Sequence, residues 1–181
     1  MGSRAEPGEP ETVANLGRTR SNWTIGPADE SEASSVLALQ RRCYAREAEL
    51  YDDWTIPPLT QSLSELRGEF ATHQILVARI GTTVVGSVRA RLDRGTCHVG
   101  RLVVEPGHER RGIGTKLMAA IEREFPEADR FELFTGHLSE GNLALYRRLG
   151  YEETGRRTVS PKLHLVYLGK VGRADRPPSP E

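Results

Sequence analysis

Leu102-Val103-Val104-Glu105-Pro106-Gly107-His108-Glu109-Arg110-Arg111-Gly112-Ile113-Gly114-Thr115 is the stretch on which the reading of this chain turns. An apolar run ends at a proline, a short polar loop follows, and two glycines open a segment in which Ile113, Leu117, Ile121 and Phe125 recur every fourth residue. That pattern describes a strand passing through a loop into a helix with one buried face. A helix start carries unpaired N–H groups and a partial positive charge, which suits it to phosphate. Glycine there lets a bulky pyrophosphate approach the backbone with no Cβ in the way. Arg110 and Arg111 add positive charge beside it.

Two common phosphate turns do not fit. A P-loop needs lysine directly after its second glycine, and here Gly112 is followed by Ile113. A dinucleotide fingerprint needs a third glycine where Leu117 stands, early in a βαβ unit. For the turn taken alone, a plain strand-to-helix connection with surface arginines remains the alternative.

Upstream of the turn lie three strand-like runs: Gln74–Ile80 closed by Gly81-Thr82, Val84–Leu92 closed by Arg94-Gly95, and Thr96–Glu105. Tight turns between such runs make an antiparallel meander. Before them, Trp23-Thr24-Ile25 reads as a short strand and Asp29 to about Leu50 as a helix. Thr55–Leu59 should be extended, because proline disfavours helix in the residue before it. Ser62 to about Phe70 is a second short helix with Leu63 and Leu66 on one face. Downstream, Phe131–Thr135 returns to strand, Ser139 can cap a helix running to Leu149, and Gly150 ends it. Leu163–Leu168 is a last strand, with room for another near Glu152–Arg157. The order implies an α/β fold, a mixed and mostly antiparallel sheet covered by helices.

The 181 residues suit one domain, here residues 22–170, flanked by ends at 1–21 and 171–181 whose composition predicts disorder. Lys+Arg and Asp+Glu number 25 each, so whole-molecule attraction to nucleic acid or to an anionic membrane is not expected. Cys43 and Cys97 are too far apart for a CxxC pair, and the five histidines lack ligand spacing, so no metal is expected. No apolar run approaches the ~18 residues of a membrane span, nor is there an apolar signal core, so a cytoplasmic protein is expected.

A second block, Asn142-Leu143-Ala144-Leu145-Tyr146-Arg147-Arg148-Leu149-Gly150-Tyr151, places Asn142 and Tyr146 on one helix face. Together with Val104-Glu105-Pro106 and Gly112-Ile113-Gly114, it makes the sequence resemble the GCN5-related N-acetyltransferase (GNAT) superfamily. That family's signature is Gln or Arg, two residues, Gly, one residue, then Gly or Ala, after a strand ending in Val-x-Pro. Glu109 departs from it at the Gln/Arg position, where a carboxylate is unfavourable beside a pyrophosphate. Backbone binding, with Arg110 or Arg111 compensating, would accommodate the change. The specific match covers residues 98–151.

The resemblance implies a sheet splayed between its fourth and fifth strands, with acetyl-CoA as cosubstrate in the cleft. Leu102, Val103 and Val104 would pair with the pantetheine arm as an added strand does. The turn from Glu109 through Arg110, Arg111, Gly112, Ile113 and Gly114 to Thr115 would hold the pyrophosphate, with Asn142 and Tyr146 completing the cofactor contacts. The Leu102 amide would polarise the thioester carbonyl. The implied reaction is N-acetyl transfer to a primary amine, on a small molecule or a protein, by direct attack in a ternary complex. Tyr146 matches the family's acid for the departing thiolate. An amine of pKa about 10 is mostly protonated at neutral pH, a cost of about 4–5 kcal/mol, so a base is useful. His98 matches the glutamate base of histone-type members, and histidine as a type titrates near neutrality. The alternative is a cross-strand histidine without a catalytic part, and Glu105 is a weaker base candidate.

Glu47, Glu49, Asp52 and Asp53, interleaved with Tyr44, Tyr51 and Trp54, form an acidic and aromatic rim that would suit a cationic amine. Phe134-Thr135-Gly136-His137 is a second candidate lining. Among these, Glu47, Tyr51 and Thr135 are the candidate acceptor contacts; the alternative is a solvated helix end over packed aromatics. Neither cysteine lies in the matching motifs, so an acyl-enzyme is not indicated. A homodimer is implied only at family level. The competing function is an acyl-CoA sensor without turnover, which need not keep Tyr146.

Overall fold

The computed structural model describes residues 22–172. The expected disorder of residues 1–21 and of 173–181 lies outside them. Val171 and Gly172, assigned to the tail from sequence, belong instead to the fold. Val171 ends the last strand, and Gly172 is buried with its N–H donating to the Asp129 carbonyl (2.6 Å).

In chain order the elements are β1 (Thr24–Pro27), a 3-10 turn (Glu30–Glu32), α1 (Ala33–Tyr51), α2 (Pro57–Thr60), α3 (Leu63–Glu69), β2 (Gln74–Ile80), β3 (Thr83–Asp93), β4 (Thr96–Val104), α4 (Ile113–Arg123), β5 (Arg130–Gly136), α5 (Glu140–Arg148), β6 (Glu152–Thr158) and β7 (His164–Val171). Local chemistry sets several of these starts. Asp29 with Glu32, and Ser62 with Glu65, form capping boxes that satisfy the first free amides. The expected extension of Thr55–Leu59 holds only up to Ile56 (φ −56°, ψ 140°). Pro57 and Pro58 then open α2, because proline at the first helical positions removes only N–H groups that would have no partner. No helix among the described residues is long and apolar enough to cross a membrane.

One seven-stranded sheet runs β1-β2-β3-β4-β5-β7-β6, and every neighbouring pair is antiparallel except β4 with β5. Both faces of its centre are buried. Leu76, Ala78, Val88 and Val99 pack under Ile113, Leu117 and Ile121 of α4. The alternate residues Ile75 and Val77 pack under Val36 and Leu37 of α1 and Leu66 of α3. Full burial of each such side chain is worth about 1.5–3 kcal/mol.

Two irregularities shape the middle of the sheet. In β4, Gly100 stands opposite Arg89 and Val103 opposite Ser87, so Val88 alone faces both Arg101 and Leu102. This is a β-bulge, and Arg101 within it has φ 53°. One extra residue shifts the strand's alternation by one. Val103 therefore joins the α1 layer, Leu102 and Val104 face α4, and Arg101 is carried over the Tyr44 ring of α1. The second irregularity is a parting of strands. β4 pairs with β5 only through Thr96–Arg130, Cys97–Phe131 and His98–Glu132, while the far edge of β5 stays paired with β7 through Gly136. Beyond His98 the two central strands diverge and leave a gap.

Candidate active site

The loop after β4 delivers backbone donors to the mouth of that gap. Gly107 (φ 87°), Arg110 (φ 58°) and Gly112 (φ 80°) turn the chain sharply into α4. From Glu109 through Thr115 no amide donates to an acceptor among the described residues; the first to do so is Lys116, bonded to the Gly112 carbonyl (3.0 Å). A run of free donors at a helix start suits an anion. Gly114 keeps the approach clear, since a Cβ there would meet only Leu145, Val104 and Leu102 side-chain carbons at 3.5–4.0 Å. The Glu109 carboxylate is drawn towards Arg46 of α1 (3.8 Å), whereas Arg110 and Arg111 pair with no carboxylate among the described residues. The unfavourable charge at position 109 is thus offset from outside the turn. These groups fit a diphosphate.

Residues 35–151 match the acetyltransferase (GNAT) family, a span that begins within the first turn of α1 and includes the splayed strands, the free-amide turn and α5. This chain belongs to the GNAT family. Among solved structures it is similar to an N-acetyltransferase from Staphylococcus aureus (TM-score 0.69, 17% identity, covering 83% of this chain and 99% of that one). It is also similar to yncA of Salmonella typhimurium, whose structure holds acetyl-CoA (TM-score 0.67, 18% identity, 88% and 98% covered). A curated relative, the UPF0157 protein YqkA of Bacillus subtilis, is 25% identical over 122 residues, or 67% of this chain. The match spans only 35% of that protein's length.

In this GNAT domain Tyr146 lies on α5 with its ring buried (6% exposed). Burial holds its hydroxyl well above the usual tyrosine range, and Tyr44 and Glu47 of α1 push it further the same way. Asn142, one turn earlier, donates to Thr135 Oγ1 of β5 (3.5 Å), so the two motif residues of α5 serve different neighbours. His98 sits at the last β4–β5 pair before the gap, with Nδ1 3.8 Å from Glu132 Oε2 and its side chain 41% exposed. Glu105 is tied to Arg42 through Nε (3.0 Å) and Nη2 (2.5 Å). The Cys43 thiol donates to the Val104 carbonyl (3.3 Å), and burial, with Glu105 adding to it, pushes its pKa up to about 12.

The acidic rim read from the sequence is mostly engaged. Asp52 pairs with Lys162 (2.5 Å), and Asp53 accepts from the Thr55 amide (2.8 Å). Glu47 accepts from Ser139 Oγ (2.6 Å), so Ser139 stands at the N-cap of α5 but, contrary to the capping role expected from sequence, does not cap it through its side chain. Tyr51 is buried, and its hydroxyl accepts from the Leu138 amide (2.9 Å). A Cβ at Gly136 would stand 2.2 Å from that hydroxyl, so glycine is what lets Tyr51 dock there. Tyr51 thereby locks the β5–α5 loop to α1, while Glu47 and the buried Thr135 accept from Ser139 and Asn142 at the start of α5. Sequence reading missed two arginines on the α1 side. Arg89 is 7% exposed and pairs with Glu69, and burial, followed by the Arg101 charge, brings its guanidinium down to about 10 against the pull of Glu69. Neither stood out in sequence, because Arg89 and Arg101 lie in strand runs that also carry Ser87, Arg91 and His98.

Proposed function

We propose that this chain transfers an acetyl group from acetyl-CoA to a primary amine, of a small molecule or a protein, by direct attack in a ternary complex. The observation that carries the reading is the unbroken series of unbonded amides from Glu109 to Thr115, placed where β4 and β5 part. The Leu102 amide, just past the bulge, is the donor for the thioester oxygen, where charge develops during attack. The amine nitrogen forms a bond to the carbonyl carbon, the carbon–sulfur bond breaks, and the products are an amide and free coenzyme A. The proton lost by the amine leaves through His98, at the last joined pair of the two strands. The proton gained by sulfur comes from the Tyr146 hydroxyl, which is protonated at neutral pH and is restored from solvent after each turnover. The deciding experiment measures thiol release from acetyl-CoA across a panel of amines, beside calorimetry with coenzyme A. Binding with turnover supports the reading. Binding without turnover on any amine assigns a sensor, and absence of binding by folded protein ends both.

A further inference from the structure

Arg101 stands beside the acetyl-transfer machinery and has no part in it so far. Its φ of 53° lies in the left-handed region, where glycine is at ease and an L-residue is strained. The backbone at this bulge is therefore suited to glycine, and what arginine adds is a side chain. That side chain turns to the α1 side of the sheet, with its guanidinium carbon 5.7 Å from the centre of the Tyr44 ring. Its Nε is buried and donates to no acceptor among the described residues. A buried donor in that state is destabilising unless something else accepts from it.

The Tyr44 hydroxyl lies near enough to feel the guanidinium, but no group among the described residues accepts from Nε. Arg89 stands on the neighbouring strand opposite Gly100, and it already has Glu69 as counter-ion and Gln61 Oε1 within 3.4 Å. Arg101 pairs with no carboxylate among the described residues. Glu47 accepts from Ser139. Arg89 thus has a carboxylate partner and Arg101, next in sequence to Leu102, has none among the described residues.

We infer that Arg101 anchors a carboxylate of the acceptor, and that the acceptor is a small amino carboxylate whose acid group lies a few bonds from the attacking nitrogen. The inference rests on the acetyl-transfer reading, because the reacting carbonyl is what fixes where the nitrogen must be. The guanidinium fork matches a planar carboxylate and would give Arg101 the partner it lacks. The N-terminal amine of a protein carries an amide at the corresponding place, which offers one neutral acceptor oxygen in place of two charged ones, so the same residue selects against polypeptides.

The test pairs free α- and β-amino acids with their own carboxamides and adds a short peptide with a free N-terminus. Rates are read by thiol release, and binding by calorimetric titration of each compound into protein saturated with coenzyme A. The native chain should favour a carboxylate over its carboxamide about tenfold to a hundredfold in kcat/KM or in Kd, the range expected for a hydrogen-bonded charged pair. Arg101→Gly removes the fork while relieving the left-handed strain, so it should melt no lower than the native chain. In it the ratio should fall towards one, and Arg101→Lys, which keeps charge without the fork, should fall between. Equal handling of carboxylate and carboxamide would overturn the inference, as would undiminished discrimination in Arg101→Gly or preference for the peptide. Coenzyme A binding without any amino-acid binding or turnover would also overturn it. Loss of the acetyl-transfer reading itself is distinguished by failure to bind coenzyme A at all.

Discussion

Tyr146 illustrates what one hydroxyl can do when its ring is committed to the core. Its ring lies 6.1 Å from that of Tyr151 and is almost fully buried, while the hydroxyl makes no hydrogen bond among the described residues. Phenylalanine preserves the packing, so Tyr146→Phe should change unfolding free energy by less than about 1 kcal/mol. Turnover should drop about a hundredfold, the usual worth of a positioned proton donor, with coenzyme A affinity nearly constant. Parallel losses in kcat and in affinity would show that the hydroxyl only binds. The pairing of Arg89 with Glu69 makes a second prediction at this scale. Arg89 is 8% exposed and Glu69 24%, so the two ends of the pair face unequal consequences when a partner is lost. Glu69→Ala strands a buried cation and should cost about 3–5 kcal/mol by urea denaturation. Arg89→Met leaves a carboxylate that water can reach, and should cost clearly less. The reverse order would mean that Glu69 contributes packing rather than charge.

At the level of elements, the turn into α4 separates binding from folding. Cβ atoms of a helix tilt towards its N-terminus, so a methyl at Gly114 would lean into the free-amide site. It would meet its protein neighbours only at ordinary contact distance, 3.5 Å or more. Gly114→Ala should therefore leave stability unchanged or raise it by up to about 1 kcal/mol, while weakening coenzyme A binding about tenfold. Tight binding in a stable variant would place the diphosphate elsewhere. This turn was legible because its chemistry is local: proline, glycines and a change of hydrophobic period all lie within a few residues. The strands β2 and β5 and the two long helices were legible for the same reason. The β4 bulge was not, because an extra residue shows only against the partner strand, and Arg101 looked like an ordinary member of an alternating run. α2 was misread because the rule for a residue before proline was extended past Ile56 into the prolines themselves. The acidic rim seemed free because its partners Lys162 and Ser139 lie more than 80 residues away in the chain.

Across the whole molecule, the sheet is buried on both sides at its centre, and its ionisable groups tie the layers to it. The pH limits of stability follow from which groups were placed where. Glu32, at the entry to α1, bonds to Arg79 of β2 through Nε (2.8 Å) and Nη2 (2.6 Å), and this holds its carboxyl below the usual 4.5. A carboxyl lowered on folding contributes stability that is present above its unfolded pKa and lost as pH falls through the folded value. At the other extreme, burial raises Tyr44, Tyr146 and Tyr151 above their ordinary value of 10.0. Below that value they are neutral in both states and favour neither. As pH rises past it, the unfolded chain releases protons that the folded chain retains, and stability declines. The melting temperature should thus begin to fall below about pH 6.5, where unfolding frees the partly buried His73 to take a proton. It should fall further below about pH 4.5, and fall again above about pH 9, where Cys43 and Cys97 and then the tyrosines ionise in the unfolded chain. Glu32→Gln should make the acid arm shallower, with Asp29, Asp52, Asp53, Glu65 and Glu153 keeping the rest of it, and leave the alkaline arm alone. Tyr151→Phe should soften the alkaline arm at the cost of the hydrogen bond to Glu122 (3.0 Å). An alkaline arm of the same depth in that variant would show that the buried tyrosines do not control it.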